Sequence, residues 1–178
     1  MLTQIRRSVV LALFFAIILG LAYPLVETGL ANVLFPAQAK GSLTPYGSTE
    51  IGQHWSGDRW FHGRPDVDND TETGGTNLGP RSKQLLDNTK ALVAFWHAQG
   101  VDPTQELVTT SGSEIDPDIS QKSALVQIPM IQRSTGVSAN RLRQLIETQT
   151  TGPGYGIFGD RTVNVLNLNR ALAKIEGR

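Results

Sequence analysis

The stretch VVLALFFAIILGLAYPLV, residues 9–26, runs for eighteen residues without a charge. At ~1.5 Å of rise per residue, a helix of this length covers roughly 27 Å, close to the hydrocarbon thickness of a bilayer. A helix of a soluble core needs one apolar face, whereas this one is apolar all round. The stretch predicts a transmembrane helix over 9–28, preceded by a short N-terminus at 1–8. Arg6 and Arg7 stand just before it, Glu27 follows it, and the next basic residue is Lys40. By the positive-inside rule, this asymmetry predicts a single-pass protein of the cell membrane, with a cytoplasmic N-terminus and an extracytoplasmic remainder. Tyr23 suits the outer interface, and Pro24 predicts a kink or an end to the regular helix. Ala12, Ala16 and Gly20 recur every fourth residue, a spacing that permits close helix contact in a bilayer. Alanine and glycine facing lipid would show the same pattern.

A competing reading is a cleaved signal peptide, with Ala37-Gln38-Ala39 as the cleavage site. That tripeptide lies well past the apolar run, where cleavage normally follows closely, and the run is longer than a usual signal core. Both readings put the following domain on the same side of the membrane.

Beyond the anchor, 29–50 reads as a connector and 51–178 as one α+β domain, large enough to bury a core without staples. The sequence holds 16 basic and 16 acidic residues and no cysteine. Disulfides and thiolate chemistry are thereby excluded, and no basic stripe points to nucleic acid. Strands are expected at 51–55, 106–110 and 161–165. Helices are expected at 81–99 with Ser82 as cap, at 120–136 with Ser120 as cap and a break at Pro129, at 138–148 with Ser138 as cap, and at 166–174. Leu142, Leu145 and Ile146 share one face of the third. Residues 57–80 carry five glycines and little periodicity, as functional or packed irregular loops do. The closing Ile175-Glu176-Gly177-Arg178 matches a protease-recognition site common in expression tags and carries no functional weight.

The chemistry-bearing residues form few recognisable constellations. Asp66, Asp68, Asp70 and Glu72 alternate along one loop, yet Thr71 and Asn77 stand where an EF-hand needs glycine and glutamate. A solvated acidic loop is the simpler reading. His54, His62 and His97 lack metal-motif spacing, and a metal site would have to pair one of them with Asp66 or Asp68. Ser111 and Ser113 flank Gly112 without a nucleophile elbow, which favours a turn whose hydroxyls bond backbone. No phosphate-cradling glycine loop precedes a lysine, and no aspartyl-phosphate motif occurs, so autonomous ATP hydrolysis is not expected. FHGRP (61–65) and GGTNLGP (74–80) read as scaffold loops, with Arg64 clamping loop carbonyls or a carboxylate in its planar fork.

Taken in order, these pieces resemble the C subunit of the Kdp potassium-transporting ATPase. The resemblance rests on YPL (23–25), FP (35–36), GS (41–42), IGQ (51–53), FHGRP, GGTNLGP, ELVTTSGS (106–113), DPDIS (116–120) and VNVLNLNRAL (163–172), and covers almost the whole chain. The acidic run from Asp66 to Glu72 departs from the family pattern. The resemblance implies structural or interface roles for Gln53, Phe61, His62, Gly63, Arg64 and Pro65. It implies the same for Gly74, Gly75, Asn77, Leu78 and Gly79, and for Ser111, Gly112 and Asp116.

It further implies a non-catalytic accessory subunit. The partners would be a channel-like potassium-translocating subunit, a P-type ATPase subunit and a small single-helix subunit. ATP and potassium would be handled by the complex, and no cofactor by this chain. The family's described role as a catalytic chaperone, raising the ATP affinity of the pump subunit, conflicts with an extracytoplasmic domain unless transmitted through the membrane helices. Two other classes compete with this reading: an anchored hydrolase using Ser111 and a histidine, and an anchored module that binds a cation or peptide.

Overall fold

The computed structural model describes residues 1–66, 73–153, 156–157 and 159–177. The chain divides into two compact units, Met1–Leu43 and Thr44–Arg178.

The first unit is one long apolar rod. Helix α1 (Leu2–Ile17) passes through a π-helical turn (Ile18–Ala22) into α2 (Tyr23–Leu34), and a single turn, α3 (Pro36–Ala39), follows. Pro24 neither ends nor interrupts the rod, for a local reason. Proline has no N–H, and its ring crowds the carbonyl four residues back, here that of Gly20. The π turn absorbs this by widening the backbone, with the Tyr23 N–H reaching back to the Ile18 carbonyl. The helix therefore continues past 28 to Leu34, through residues that sequence alone assigned to a connector. Its 33 residues have a mean hydropathy of 2.7 in the most apolar window, with no part of that window buried. At ~1.5 Å per residue the rod is roughly 50 Å long, more than the ~30 Å hydrocarbon layer. It is long and apolar enough to cross a membrane. Ala12, Ala16 and Gly20 all lie on this rod.

The second unit is α+β. A minimal hairpin, β1 (Leu43–Thr44) with β2 (Gly47–Ser48), leads into it. Helix α4 (Lys83–Ala98) begins where the Ser82 hydroxyl accepts the Leu85 N–H, and ends before Gly100 at φ +68°. Helices α5 (Gln121–Val126) and α6 (Ile128–Thr135) are one apolar pattern broken at Gln127, because Pro129 fits only the first turn of a new helix. Helix α7 (Ala139–Gln149) is capped by Ser138, and its Leu142, Leu145 and Ile146 are buried. Helix α8 (Val165–Ile175) is capped by Asn164.

The small antiparallel sheet has the order β3–β5–β4, from Asp118–Ser120, Thr162–Asn164 and Thr150–Thr151. Ile119 faces Val163 across it, and both are buried among α5, α7 and α8. Two of the three strands expected from sequence are absent. Residues 51–55 run without strand pairing, because Gly52 is drawn against the 115–116 backbone: its N–H donates to the Ile115 carbonyl at 2.7 Å. The span 106–110 yields only a 3-10 turn (Gln105–Leu107), whose Leu107 sinks into the core. The expected strand at 161–165 is present as β5.

Candidate functional site

The glycine-rich loops meet on one side of this core, and two buried amides hold them there. The Gln127 side chain, at the α5–α6 break, accepts the His62 N–H at 2.8 Å and donates to the His62 carbonyl at 3.0 Å. Asn169, on α8, does the same for Phe61, at 2.9 Å in both directions. Each amide thus replaces the strand neighbour that this extended segment lacks. Both amides are buried, so each satisfies two backbone groups that would otherwise be costly to desolvate. Phe61 enters the core, Gly63 lies against the Val165 side chain, and the His62 ring meets Trp96 edge-on at 5.5 Å.

The next residues of the same segment tie the loops to one another. Arg64 Nη2 donates to the Thr110 carbonyl at 2.9 Å. The Asp66 carboxylate accepts from the Ser111 N–H at 2.6 Å, the Ser111 hydroxyl at 2.8 Å and the Asp116 N–H at 3.1 Å. Sequence reasoning placed Asp66 in a solvated acidic run; the structure makes it the hub of the turn that contains Ser111, Gly112 and Asp116. Three donors converge on it because carboxylates accept strongly from local backbone N–H groups. The other members of that run, Asp68, Asp70 and Glu72, lie outside the described residues.

The GGTNLGP loop docks on the far side of the same turn. The Gly74 N–H and the Thr73 hydroxyl both donate to the Ser113 carbonyl, at 3.1 and 2.9 Å. A Cβ on Gly75 would stand 3.1 Å from the Gly112 carbonyl oxygen. Asn77 takes a left-handed conformation at φ +53°, and the Gly79 carbonyl accepts the Ser82 N–H at the entry to α4. Gln53 is fastened separately: its amide covers Gly47 and donates to the Ser48 carbonyl at 3.1 Å.

Gln53, His62, Gly63, Arg64, Pro65, Asp66 and Asp116 also line a cleft of about 430 Å³. Leu78 belongs instead to a smaller depression of about 310 Å³ beside α4, to which Pro65 also contributes. The cleft's apolar wall comes from Trp55, Leu92, Phe95 and Trp96. Burial lowers the His62 pKa below the ordinary imidazole value, which keeps the ring neutral. Burial likewise raises the Asp116 carboxyl. Glu106 behaves oppositely: burial opposes its ionisation, but hydrogen bonds from Ser123 and Ser120 prevail and hold its pKa low.

The chemical possibilities narrow accordingly. The Ser111 hydroxyl donates to Asp66 and lies 3.3 Å from the Ser113 hydroxyl, so it is tied into its turn through side chains. The turn expected from sequence, with hydroxyls bonded to backbone, holds for Ser113, whose hydroxyl accepts the Ile115 N–H at 3.3 Å, and is corrected for Ser111. Among the described residues, no three or more histidine or acidic side chains are placed to hold a metal ion. Sequence reasoning missed Gln127, Asn169, Glu106 and Ser123. The one available signal was polar side chains at apolar-periodic positions of two helices.

The fold and these loops belong to a known lineage. A family model described as "K+-transporting ATPase, c chain" matches residues 5–174. The chain is 42% identical to the potassium-transporting ATPase KdpC subunit of Methylobacterium nodulans, over the whole of both proteins. It is 43% identical to that of Rhodopseudomonas palustris strain TIE-1 and 41% identical to that of Bradyrhizobium diazoefficiens, each over 97% of both chains. The loops FHGRP, GGTNLGP and TSGS, joined through Asp66 and the Ser113 carbonyl, are thus part of a chain that belongs to the KdpC family of potassium-transporting ATPase subunits.

Proposed function

We propose that this chain is a non-catalytic accessory subunit of an ATP-driven potassium importer, anchored by its single N-terminal helix. The observation that carries the reading is the family match along 5–174, which spans both the rod and the domain. The loop geometry supports it. Ser111, the serine that sequence offered for hydrolysis, is spent on Asp66, and Arg64 Nη2 clamps the Thr110 carbonyl. A site that binds or turns over substrate keeps donors and acceptors free for it.

The orientation that Arg6 and Arg7 favour puts the domain outside the cytoplasm. In that topology the chain raises the pump subunit's ATP affinity through helix contacts within the membrane. The partners are a potassium-translocating subunit, the P-type catalytic subunit and a small single-helix subunit. Purification of the pump with and without this chain tests the proposal. Loss of assembly, or a raised KM for ATP, is the expected result, and a complex unchanged in composition and activity would refute it.

A further inference from the structure

The aromatic cleft is not explained by loop scaffolding. Its lining carries three carboxyl groups, Asp66, Glu114 and Asp116, against one guanidinium, Arg64. Asp66 is satisfied by the neighbouring turn. The Glu114 Oε1 oxygen is buried and has no hydrogen-bond partner among the described residues. Two buried donors lining the same cleft, Trp55 Nε1 and Arg64 Nε, also have no partner among the described residues. Orphaned polar groups of this kind are rare in folded proteins, because each costs about 1–3 kcal/mol when left unpaired. Asp116 lines the cleft beside Glu114, and burial raises its carboxyl even though the Arg64 guanidinium acts in the other direction. Aromatic side chains line the same cleft, and Phe95 stands out from α4 with nearly half its surface exposed.

We infer that this cleft receives a short segment of another pump subunit, one that sets a Lys or Arg side chain against Glu114 and Asp116 beside an apolar residue packed on Trp96 and Phe95. The backbone carbonyls of such a segment supply the acceptors that Trp55 Nε1 and Arg64 Nε lack. Its cation balances the carboxyls and sits beside aromatic faces that favour positive charge. The volume of about 430 Å³ holds a few side chains rather than a whole element. The inference rests on the accessory-subunit reading and deepens it by naming the chemistry of one contact.

The test uses the whole complex. A photoreactive benzoylphenylalanine replaces Phe95, with Leu86 on the same helix but outside the cleft as the control position. The complex is recovered through a tag on this chain, irradiated, and its adducts are mapped. The expected adduct from position 95 lies on another subunit, within two residues of a Lys or Arg, and is absent from position 86. Glu114→Gln and Asp116→Asn, which preserve shape, each lower its yield by about fivefold or more. An intact complex with no such adduct, an adduct on a segment lacking a basic residue, or yields unchanged by both substitutions overturns the inference. Recovery of this chain with no other subunit overturns the accessory-subunit reading itself, and the inference with it.

Discussion

The Asp66 carboxylate accepts both the N–H and the hydroxyl of Ser111, at 2.6 and 2.8 Å, across 45 residues of sequence. With the Asp116 N–H as third donor, one side chain organises the turn between Thr110 and Asp116. Asp66→Ala leaves three donors without their acceptor. We expect a loss of about 2–4 kcal/mol in unfolding free energy, since hydrogen bonds to a charged group contribute about 1.5–3 kcal/mol each and water recovers part. Ser111→Ala removes one of the three and is expected to cost about 1 kcal/mol. Denaturant titration of the detergent-solubilised chain reads both, and equal costs would contradict the hub.

The amide clamp predicts a comparable effect from a subtler change. Gln127→Leu keeps the volume and leaves the His62 N–H and carbonyl unpaired. Asn169→Leu does the same to Phe61. Each is expected to cost about 2–4 kcal/mol, with the double variant costing less than the sum, because the two amides hold adjacent residues of one segment. Strict additivity in denaturant midpoints would show that the clamps act independently.

Stability should fall in acid for a stated reason. Burial lowers the His62 pKa in the folded state, so the unfolded chain binds a proton more readily. The contribution is therefore fully present above the unfolded value of about 6.5 and is lost as pH falls through the lower folded value. Glu106, also lowered, adds a second loss further down, below its ordinary carboxylate range. Asp116, raised, works in the opposite direction: its contribution is present at low pH and is lost as pH rises through its folded value. His62→Phe keeps the edge-on contact with Trp96 and should flatten the slope of unfolding free energy as pH falls below about 6.5. A slope unchanged by that substitution would remove His62 from the account.

Glycine substitutions should rank by space. A Cβ at Gly52 would stand 2.6 Å from the Asp116 carbonyl oxygen, and one at Gly75 would stand 3.1 Å from that of Gly112. A Cβ at Gly79 meets nothing within 4 Å. Gly52→Ala is expected to cost about 1–3 kcal/mol and Gly75→Ala less, with Gly79→Ala near neutral. Melting temperatures of the three variants give the order directly.

The helices of the domain were readable from sequence because each carries local signals. Ser82, Ser120 and Ser138 accept the N–H groups their positions predicted, and Pro129 broke the pattern at Gln127. The sheet was poorly readable because its strands are only two or three residues long, too short for alternation to emerge. The expected strand at 51–55 failed because its partner is a turn rather than another strand. Pro24 was read as a kink or an end, since a π turn leaves no local signature beyond the proline itself. The motif loops were visible, but their fastenings were not. Gln127 lies 65 residues from His62 and Asn169 lies 108 from Phe61, and no local pattern links such pairs.

The central claim is membership of a working pump. It is tested most directly by tagging this chain at its C-terminus, solubilising membranes gently, and assaying the purified material for potassium-stimulated ATP hydrolysis. The account predicts that a pump-sized and a channel-sized subunit copurify, with activity that falls when this chain is removed. Recovery of this chain alone, or of a complex whose activity is indifferent to its removal, would contradict it.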